Sequence, residues 1–188
     1  MAKKNLTRKK FTSDVSVIVA MYNAENFIAE CLTSLLNQTL KNIEVIVVDD
    51  CSTDNSSAVV KSFMPQFEER LILTKTTRNS GYPGIPRNSA LTTARGKYIT
   101  FVDSDDFLDE DALEKVFTAA EKFNADVVHV EKCFTLKDGE VQVESTQENF
   151  VEEPTLETDD IGKRVIDFTQ KKIFVVGLQQ TFPPRFFD

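Results

Sequence analysis

The sequence has few of the residues on which metal-sulfur and histidine chemistry depend. Its 188 residues include three cysteines and one histidine. Cys31, Cys51 and Cys133 lie far apart without a C-x-x-C spacing, so we predict neither a disulfide framework nor a zinc site. The histidine, His129, lies in the apolar run DVVHV, where a core position is favoured over a ligand or a catalytic base.

Long apolar runs are also absent. No run approaches the ~20 residues that span a bilayer, and the N-terminus lacks the apolar core of a signal peptide. We therefore expect a cytoplasmic protein without a transmembrane segment, with association at the inner face of the membrane left open. The basic residues 1–13 predict a mobile N-terminus rather than a polybasic anchor.

The chain lacks the glycine-rich loops that bind phosphates in other nucleotide enzymes. It has no G-x-G-x-x-G after its first apolar run and no G-x-x-x-x-G-K-[ST], which disfavours a Rossmann dehydrogenase and a P-loop enzyme. The net charge of −8 repels nucleic acid, so we expect no nucleic-acid partner. A phosphate-bearing ligand would need local positive groups or a metal ion.

Short apolar runs alternate with helical patterns along the first 134 residues. Strands are predicted at 15–20, 43–50, 71–76, 97–103 and 125–134. Helices are predicted at 24–38, after Asp54, at about 86–94 and after Asp109, with Asn23, Asp54 and Asp109 as N-caps. This alternation predicts an α/β fold, a doubly wound, mostly parallel sheet flanked by helices, with the first strand central.

The pattern weakens beyond residue 134. KDG predicts a turn, residues 158–170 a helix, and IFVVGL a short apolar stretch. We therefore divide the chain into the N-terminus 1–13, an α/β domain at 14–134 and a partial region at 135–188.

Polar clusters follow three of the predicted strands: MYNAE, DDCSTD and DSDD. In an open parallel sheet, ligands bind beyond the carboxyl ends of the strands, near the point where strand order reverses. The three clusters therefore predict one ligand site at that edge.

The acids after the fourth strand divide into two groups. Asp109, Glu110 and Asp111 suit the N-terminus of a helix. Asp103 and Asp105 lie upstream, where like charges repel, and in an extended segment both point the same way. Capping remains the alternative, but we favour a site for Mg²⁺ or Mn²⁺ completed by substrate phosphates, with Arg87 adding positive charge.

The stretch VVDDCSTDNS also contains more acidic residues than a turn requires. A strand-to-helix turn with Asp54 as its cap does not require both Asp49 and Asp50. A carboxylate at a strand end can accept a hydrogen bond from a base imide or from ribose hydroxyls.

Together these stretches resemble a known family. The run from VSVIVAMYN to VVDDCSTDNS, followed by NSGYPGIPRNSALTTARGKYITFVDSDDFL, is similar to the nucleotide-sugar-binding half of family-2 glycosyltransferases with the GT-A fold. The resemblance covers residues 14–125, in order.

The resemblance implies a role for each matched residue. Tyr22 would lie against the base, Asp50 would accept from its imide, and Arg87 would orient the sugar or diphosphate. Asp103-Ser104-Asp105 would be the D-x-D motif, with Asp103 near the ribose and sugar and Asp105 on the metal. Other implied residues at the nucleotide border and the adjoining loop are Ala20, Glu25, Asn79 and Gly81.

The sequence departs from the family at two points. Cys51 stands where the family usually has glycine, which implies an ordinary backbone conformation or modest strain. The family's carboxylate base lies in the acceptor half, and no acid between residue 134 and Asp188 has a recognisable context for it. We therefore leave the base unassigned, with a position beyond Asp188 as one option, and expect a truncated acceptor half.

The function implied is inverting transfer of a sugar from a nucleoside-diphosphate sugar, with a UDP-sugar favoured, to a glycan or lipid-linked acceptor in surface glycan synthesis. Mn²⁺ or Mg²⁺ would be the cofactor. A non-catalytic nucleotide-sugar-binding module is the alternative. A nucleotidyltransferase is less favoured, because MYNAE is neither glycine-rich nor basic. The oligomeric state is left open.

Overall fold

The computed structural model describes residues 12–125, 127–130, 134–137, 140–143 and 174–178. Residues 1–11 of the predicted N-terminal segment, the predicted helix at 158–170, Cys133 and the side chain of His129 lie outside this description.

Six strands form the main sheet in the order β3-β2-β1-β4-β8-β5. β1 pairs in parallel with β2 and β4, β2 pairs in parallel with β3, and β8 runs antiparallel to β4 and β5. The predicted α/β fold with a mostly parallel sheet is therefore confirmed, and β1 is central. The strands are β1 Ser13–Met21, β2 Ile43–Asp49, β3 Leu71–Lys75, β4 Gly96–Asp103, β5 Val127–Val130, β6 Phe134–Lys137, β7 Glu140–Val143 and β8 Phe174–Leu178.

Helices cover both faces of this sheet. They are α1 Ile28–Leu36, α2 Ser56–Phe63, α3 Gly84–Leu91 and α4 Ala112–Phe123, and a 3₁₀ turn at Met64–Phe67 follows α2. Buried residues of α1, α2 and α4 share one apolar cluster, whereas Ala90 of α3 packs with Ile18, Ile46 and Ile99 on the other face. Among the described helices, none is long and apolar enough to cross a membrane.

The later strands depart from a simple parallel continuation. The stretch IFVVGL supplies β8, which lies between β4 and β5 and pairs Val176 with Thr100. β6 and β7 pair on either side of residues 138 and 139, as the KDG turn predicts. The position of β8 rests on a pairing about 75 residues apart in sequence, which no local pattern specifies.

The predicted N-caps are displaced. Helix α1 begins after Phe27 and α4 after Asp111, so Asn23 and Asp109 are wrong as caps. The N-cap of α2 is Asn55, but the adjacent Asp54 does accept from the backbone N–H of Ser56 at 3.0 Å. At Asn23 a tertiary contact explains the shift, because its side chain binds the loop after β2, whereas Asp109 is engaged through its backbone carbonyl, which accepts from Gln38 Nε2 at 2.7 Å.

The amino ends of β1, β2 and β4 are joined by a buried polar contact. Ser16 Oγ donates to Glu44 Oε1 at 2.5 Å, and the Gly96 N–H points to both side chains, at 2.7 Å from Ser16 Oγ and 3.1 Å from Glu44 Oε1. A Cβ added at Gly96 would collide with the backbone nitrogen of Ser16 and lie 2.6 Å from its hydroxyl oxygen. Only glycine allows this approach of β4 to β1.

We predict that Gly96→Ala lowers the free energy of unfolding by about 3 kcal/mol, the upper end for overpacking, because the obstructing atoms belong to a central strand. Urea unfolding measures the change. Gly84→Ala is the matched control, because its Cβ would meet only the ring of exposed Tyr82, which can move. Equal stability of the two variants would contradict the prediction.

Candidate functional site

The carboxyl ends of β1, β2 and β4 bring the three polar clusters together. Ala20 pairs with Asp103 of β4 on one side and with Val48 of β2 on the other, and Met21 pairs with Asp49. The chain leaves β1 for β2 on one side and returns to β4 on the other, so strand order reverses here. This is the position at which open α/β sheets bind ligands.

The loop after β1 is bound to the loop after β2 by side-chain to backbone hydrogen bonds. Asn23 Oδ1 accepts from Thr53 N at 2.8 Å, and Asn23 N donates to Ser52 Oγ at 3.0 Å. Glu25 Oε2 accepts from Asn55 N at 2.9 Å. Glu25, predicted to border the nucleotide, thus also joins the two loops and fixes their separation.

Tyr22 lies at the start of this bound loop. Its side chain is 49% exposed, although both neighbours in sequence are held: Met21 is buried and Asn23 has a positive φ of 50°. Asparagine tolerates this left-handed conformation better than most residues. A fixed backbone therefore presents an exposed aromatic ring at the switch point, as stacking on a base requires.

Asp49 is buried and fully engaged by the protein. Its oxygens accept from Ser52 N at 2.7 Å and from Ser57 Oγ at 2.6 Å, and Lys75 Nζ lies 3.5 Å away. Burial acts to raise the pKa of Asp49, but the Ser57 and Ser52 hydrogen bonds and the Lys75 charge outweigh it, and the pKa is lowered. This carboxylate holds the β2–α2 turn.

Asp50 is likewise buried, at 4% exposure. Oδ1 lies 2.8 Å from Thr76 Oγ1, and Oδ2 accepts from Ser80 N at 2.8 Å and lies 2.7 Å from Ser80 Oγ. Burial opposes ionisation, but the donors of Ser80 and Thr76 prevail and lower the pKa of Asp50. Asp50 lies at the strand end, where the implied contact with a base would be made. In this structure its hydrogen bonds with Thr76 and Ser80 hold loop 76–82 in place.

Asn79 and Gly81 form the turn within that loop. Asn79 Oδ1 accepts from Gly81 N at 2.6 Å, and Gly81 has a φ of 77°. A side chain at Gly81 would meet no neighbour within 4 Å, so the requirement for glycine is conformational rather than steric crowding. The implied role of these two residues at the donor site stays a prediction.

Cys51 adopts a left-handed backbone conformation with a φ of 64°. The ordinary conformation considered from the sequence is therefore wrong, and strain is the outcome. Its thiol donates to Thr76 O at 3.2 Å, which keeps the turn beside the Asp50 anchor. The Cβ that glycine lacks makes this conformation costly for cysteine.

Asp103 forms an ion pair with Arg87. Arg87 Nη2 donates to Asp103 Oδ1, and the guanidinium lies 5.5 Å from the centre of the Phe101 ring. The buried Nε of Arg87 has no hydrogen-bond partner in the described part of the chain. Arg87 is thus held against the sheet with donor capacity remaining.

The other acids of the motif lie beside this ion pair. Asp105 and Asp106 are exposed, and Ser104 is half-buried. Although Asp106 is exposed overall, partial desolvation of its carboxyl, followed by the charges of Asp103 and Asp105, raises its pKa. The three carboxylates therefore share one small region.

The buried thiol of Cys31 lies beneath them and donates to Asp103 O at 3.6 Å. Burial raises the pKa of this thiol from 9.0 to about 12, and the charges of Asp106, Asp105 and Asp103 add to the effect. Cys31 therefore stays protonated at neutral pH and acts as a hydrogen-bond donor.

The described residues contain no group of three or more His, Cys, Asp or Glu side chains placed to hold a metal ion. Mg²⁺ and Mn²⁺ can bind through one or two carboxylates when phosphate oxygens and water complete the shell. Asp105, with Asp103 beside it, fits such an open site, because oxygen ligands suit these hard cations.

Sequence reasoning missed three residues that hold the site together. Thr76 and Ser80 bind Asp50, and Gln38 binds the segment that follows the acidic motif. Thr76 and Ser80 carry no local signal. Gln38 does carry a local signal, because it is a polar residue at the end of the apolar face of a predicted helix.

Replacing Cys51 separates the cost of its backbone conformation from the contribution of its thiol. We expect Cys51→Gly to be more stable than Cys51→Ala by about 1 kcal/mol, because only glycine is unstrained at this φ. Chemical denaturation of both variants measures the difference. Ala58→Gly, in exposed helical backbone, should instead lower stability by about 1 kcal/mol. A more stable alanine variant at position 51 would contradict the assignment.

We predict that Asp50→Asn lowers the free energy of unfolding and that the size of this loss depends on pH. The wild-type pKa is lowered from 3.8, so its stabilising contribution is full at neutral pH and is lost as pH falls below about 4. The variant should be less stable by about 2 kcal/mol at pH 7, the scale of hydrogen bonds to a charged group. Denaturation between pH 7 and pH 3 should show the difference shrinking; a constant difference would refute the ionised anchor.

Comparison with known proteins shows which proteins this chain is similar to. The sequence profile described as "Glycosyl transferase family 2" matches residues 16–171. The poly(ribitol-phosphate) beta-glucosyltransferase of Bacillus spizizenii is 40% identical over 115 residues, which cover 60% of this chain and 18% of that protein. The chain spans less than half the length of the curated relatives it matches.

Two solved glycosyltransferases share the fold. A crystal structure of Staphylococcus aureus TarS, residues 1–349 in complex with UDP, is 40% identical with a TM-score of 0.58, covering 61% of this chain and 34% of that one. The mannosyltransferase PcManGT from Pyrobaculum calidifontis, in complex with GDP-Man and Mn²⁺, is 26% identical with a TM-score of 0.58, covering 70% and 38%. These matches confirm the expected GT-A fold, and the chain belongs to glycosyl transferase family 2.

Proposed function

We propose that this chain binds the donor in an inverting glycosyltransferase of surface glycan synthesis. The observation that carries the proposal is the grouping of Tyr22, the Arg87–Asp103 pair and the exposed Asp105 at the β1/β4 switch point. An aromatic ring, a guanidinium and carboxylates are the groups that a base, a diphosphate and a divalent cation need. Family membership supports the same reaction class.

A UDP-sugar is the favoured donor. The TarS fragment, 40% identical to this chain over the matched region, has been solved with UDP and with UDP-GlcNAc. In this chain the Tyr22 ring would stack on the base, a contact worth about 1–3 kcal/mol for aromatic side chains. We also propose that the base imide N–H donates a hydrogen bond to Asp50 Oδ1, which can accept a further hydrogen bond.

Asp105 is our proposed metal ligand, with Asp103 as a second ligand or a contact to ribose and sugar. Mn²⁺ or Mg²⁺ would stabilise the charge that develops on the leaving nucleoside diphosphate. The Mn²⁺ in the related PcManGT complex supports a divalent cation. Ser104 and Asp105 lie in a turn in which Asp106 N donates to Asp103 O at 3.1 Å, so the extended segment expected from the sequence ends at Asp103 and the turn sets the direction of Asp105.

Arg87 would orient the diphosphate or the sugar. Its guanidinium is held by Phe101 and by Asp103, so little further side-chain freedom is lost when a phosphate oxygen binds. Ala20 and Glu25, which border Tyr22, would complete the donor side, and Asn79 with Gly81 would shape the adjoining loop.

The acceptor would be a glycan or a lipid-linked glycan. The named activities of two relatives, beta-glucosyl and beta-N-acetylglucosaminyl transfer to poly(ribitol-phosphate), support a polymeric surface acceptor. Attack from the face opposite the leaving group would give inversion, with a carboxylate base accepting the acceptor proton. No described residue is assigned as that base, and the cytoplasmic location stays a prediction.

We expect Asp105→Asn to lose the metal-dependent part of nucleotide binding. Calorimetric titration with UDP should show wild-type affinity at least tenfold higher with Mn²⁺ than with EDTA, and this gain should disappear in the variant. Asp111→Asn is the control, because that acid forms an exposed ion pair with Lys115. A full Mn²⁺ gain in Asp105→Asn would exclude the metal role, and the same titrations with GDP would test base preference.

A panel of nucleotide sugars would then separate a transferase from a binding module. Release of nucleoside diphosphate in the presence of a glycan acceptor supports transfer. Tight binding without turnover by any donor would favour the module.

A further inference from the structure

The acidic segment Asp103–Asp106 has few attachments of its own. It begins at the last residue of β4 and precedes residues 107–111, which form neither helix nor strand. Its described backbone contacts near β4 are Asp106 N to Asp103 O at 3.1 Å and Cys31 Sγ to Asp103 O at 3.6 Å. The far end of the segment must therefore be held from elsewhere.

The C-terminal end of α1 supplies that support. Leu108 N donates to Ser34 Oγ at 3.2 Å, and Thr39 N donates to Glu110 O at 2.8 Å. Between these contacts lies Gln38, two residues beyond the end of α1 and only 1% exposed. The support thus comes from a helix that is itself packed on the central strands.

Gln38 bridges both sides of the start of α4. Its Nε2 donates to Asp109 O at 2.7 Å and to Ser34 O at 3.2 Å, while its Oε1 accepts from Leu113 N at 3.0 Å. Leu113 N is one of the N–H groups at a helix N-terminus that have no partner within the helix. The N-cap Asp111 makes no capping hydrogen bond with its side chain, so Gln38 caps α4 from another helix.

This bridge has no apolar substitute. A buried side chain that cannot pair would leave Leu113 N desolvated and unpaired, and Asp109 O would keep only its hydrogen bond from Ala112 N at 3.1 Å. The two groups lie on either side of residues 110–112, so losing both contacts with Gln38 loosens the junction between the acidic segment and α4. Asp105, an exposed acid in the segment, would then lose its fixed position relative to Arg87 and β4.

We propose that Gln38 is a positioning residue that holds the acidic segment in the geometry needed for metal and diphosphate. This inference rests on the proposed function, because it assigns Gln38 to the same site through Asp105. Gln38 does not touch the ligand itself. It sets where the carboxylates lie when the donor arrives.

The test compares UMP and UDP binding in Gln38→Met, which keeps the volume of the side chain and removes its hydrogen bonds. We expect wild-type affinity for UDP to rise at least tenfold when Mn²⁺ replaces EDTA, and most of that gain to be lost in the variant. UMP affinity without metal should stay within about twofold, since Tyr22 and loop 76–82 are untouched. Amide exchange at Leu113 and Leu108 should accelerate.

Phe67→Leu is the matched control for general destabilisation, because Phe67 is fully buried near the amino end of β3, away from the site. It should lower the melting temperature and keep the Mn²⁺ gain. A full gain in Gln38→Met would overturn the positioning role while leaving the proposed function intact. No Mn²⁺ gain in the wild type would overturn both.

Discussion

The parallel pairing of β1 with both β2 and β4 is the constraint on which the site depends. It places the carboxyl end of β1 between the ends of two neighbours, so that Ala20 lies beside Val48 and Asp103. The close approach at Gly96 sets this pairing from the amino end, because a side chain there would separate β4 from β1. Tyr22, Asp50 and the acidic segment lie at the opposite edge of the same three strands, and Arg87 reaches that edge from α3 through Asp103.

Most polar groups near the site serve the protein rather than a ligand. Asp49, Asp50 and Asn23 accept hydrogen bonds that join one loop to the next. Tyr22 and Asp105, by contrast, are exposed. This division suits a donor site, because fixed loops hold their exposed groups in place before the ligand binds and reduce the entropy lost on binding.

Charge repulsion explains why the acidic segment needs support from both ends. Asp106 has a raised pKa because its carboxyl is partly desolvated and lies beside the other two carboxylates. Arg87 offsets this charge at Asp103, and a bound cation would offset it at Asp105. Without a fixed backbone, repelling carboxylates would move apart, and the contact from Gln38 opposes that movement.

The sequence by itself determined the strands, the helices and the edge of the sheet on which the acids lie, because apolar periodicity and strand-end polarity are local properties. It did not determine that Asn23 binds another loop rather than a helix end, that Gln38 rather than Asp109 caps α4, or that Cys51 is left-handed. Nor did it determine the position of β8. Tertiary structure decided these features, because each depends on partners about 25 to 80 residues away, such as Gln38 for Leu113.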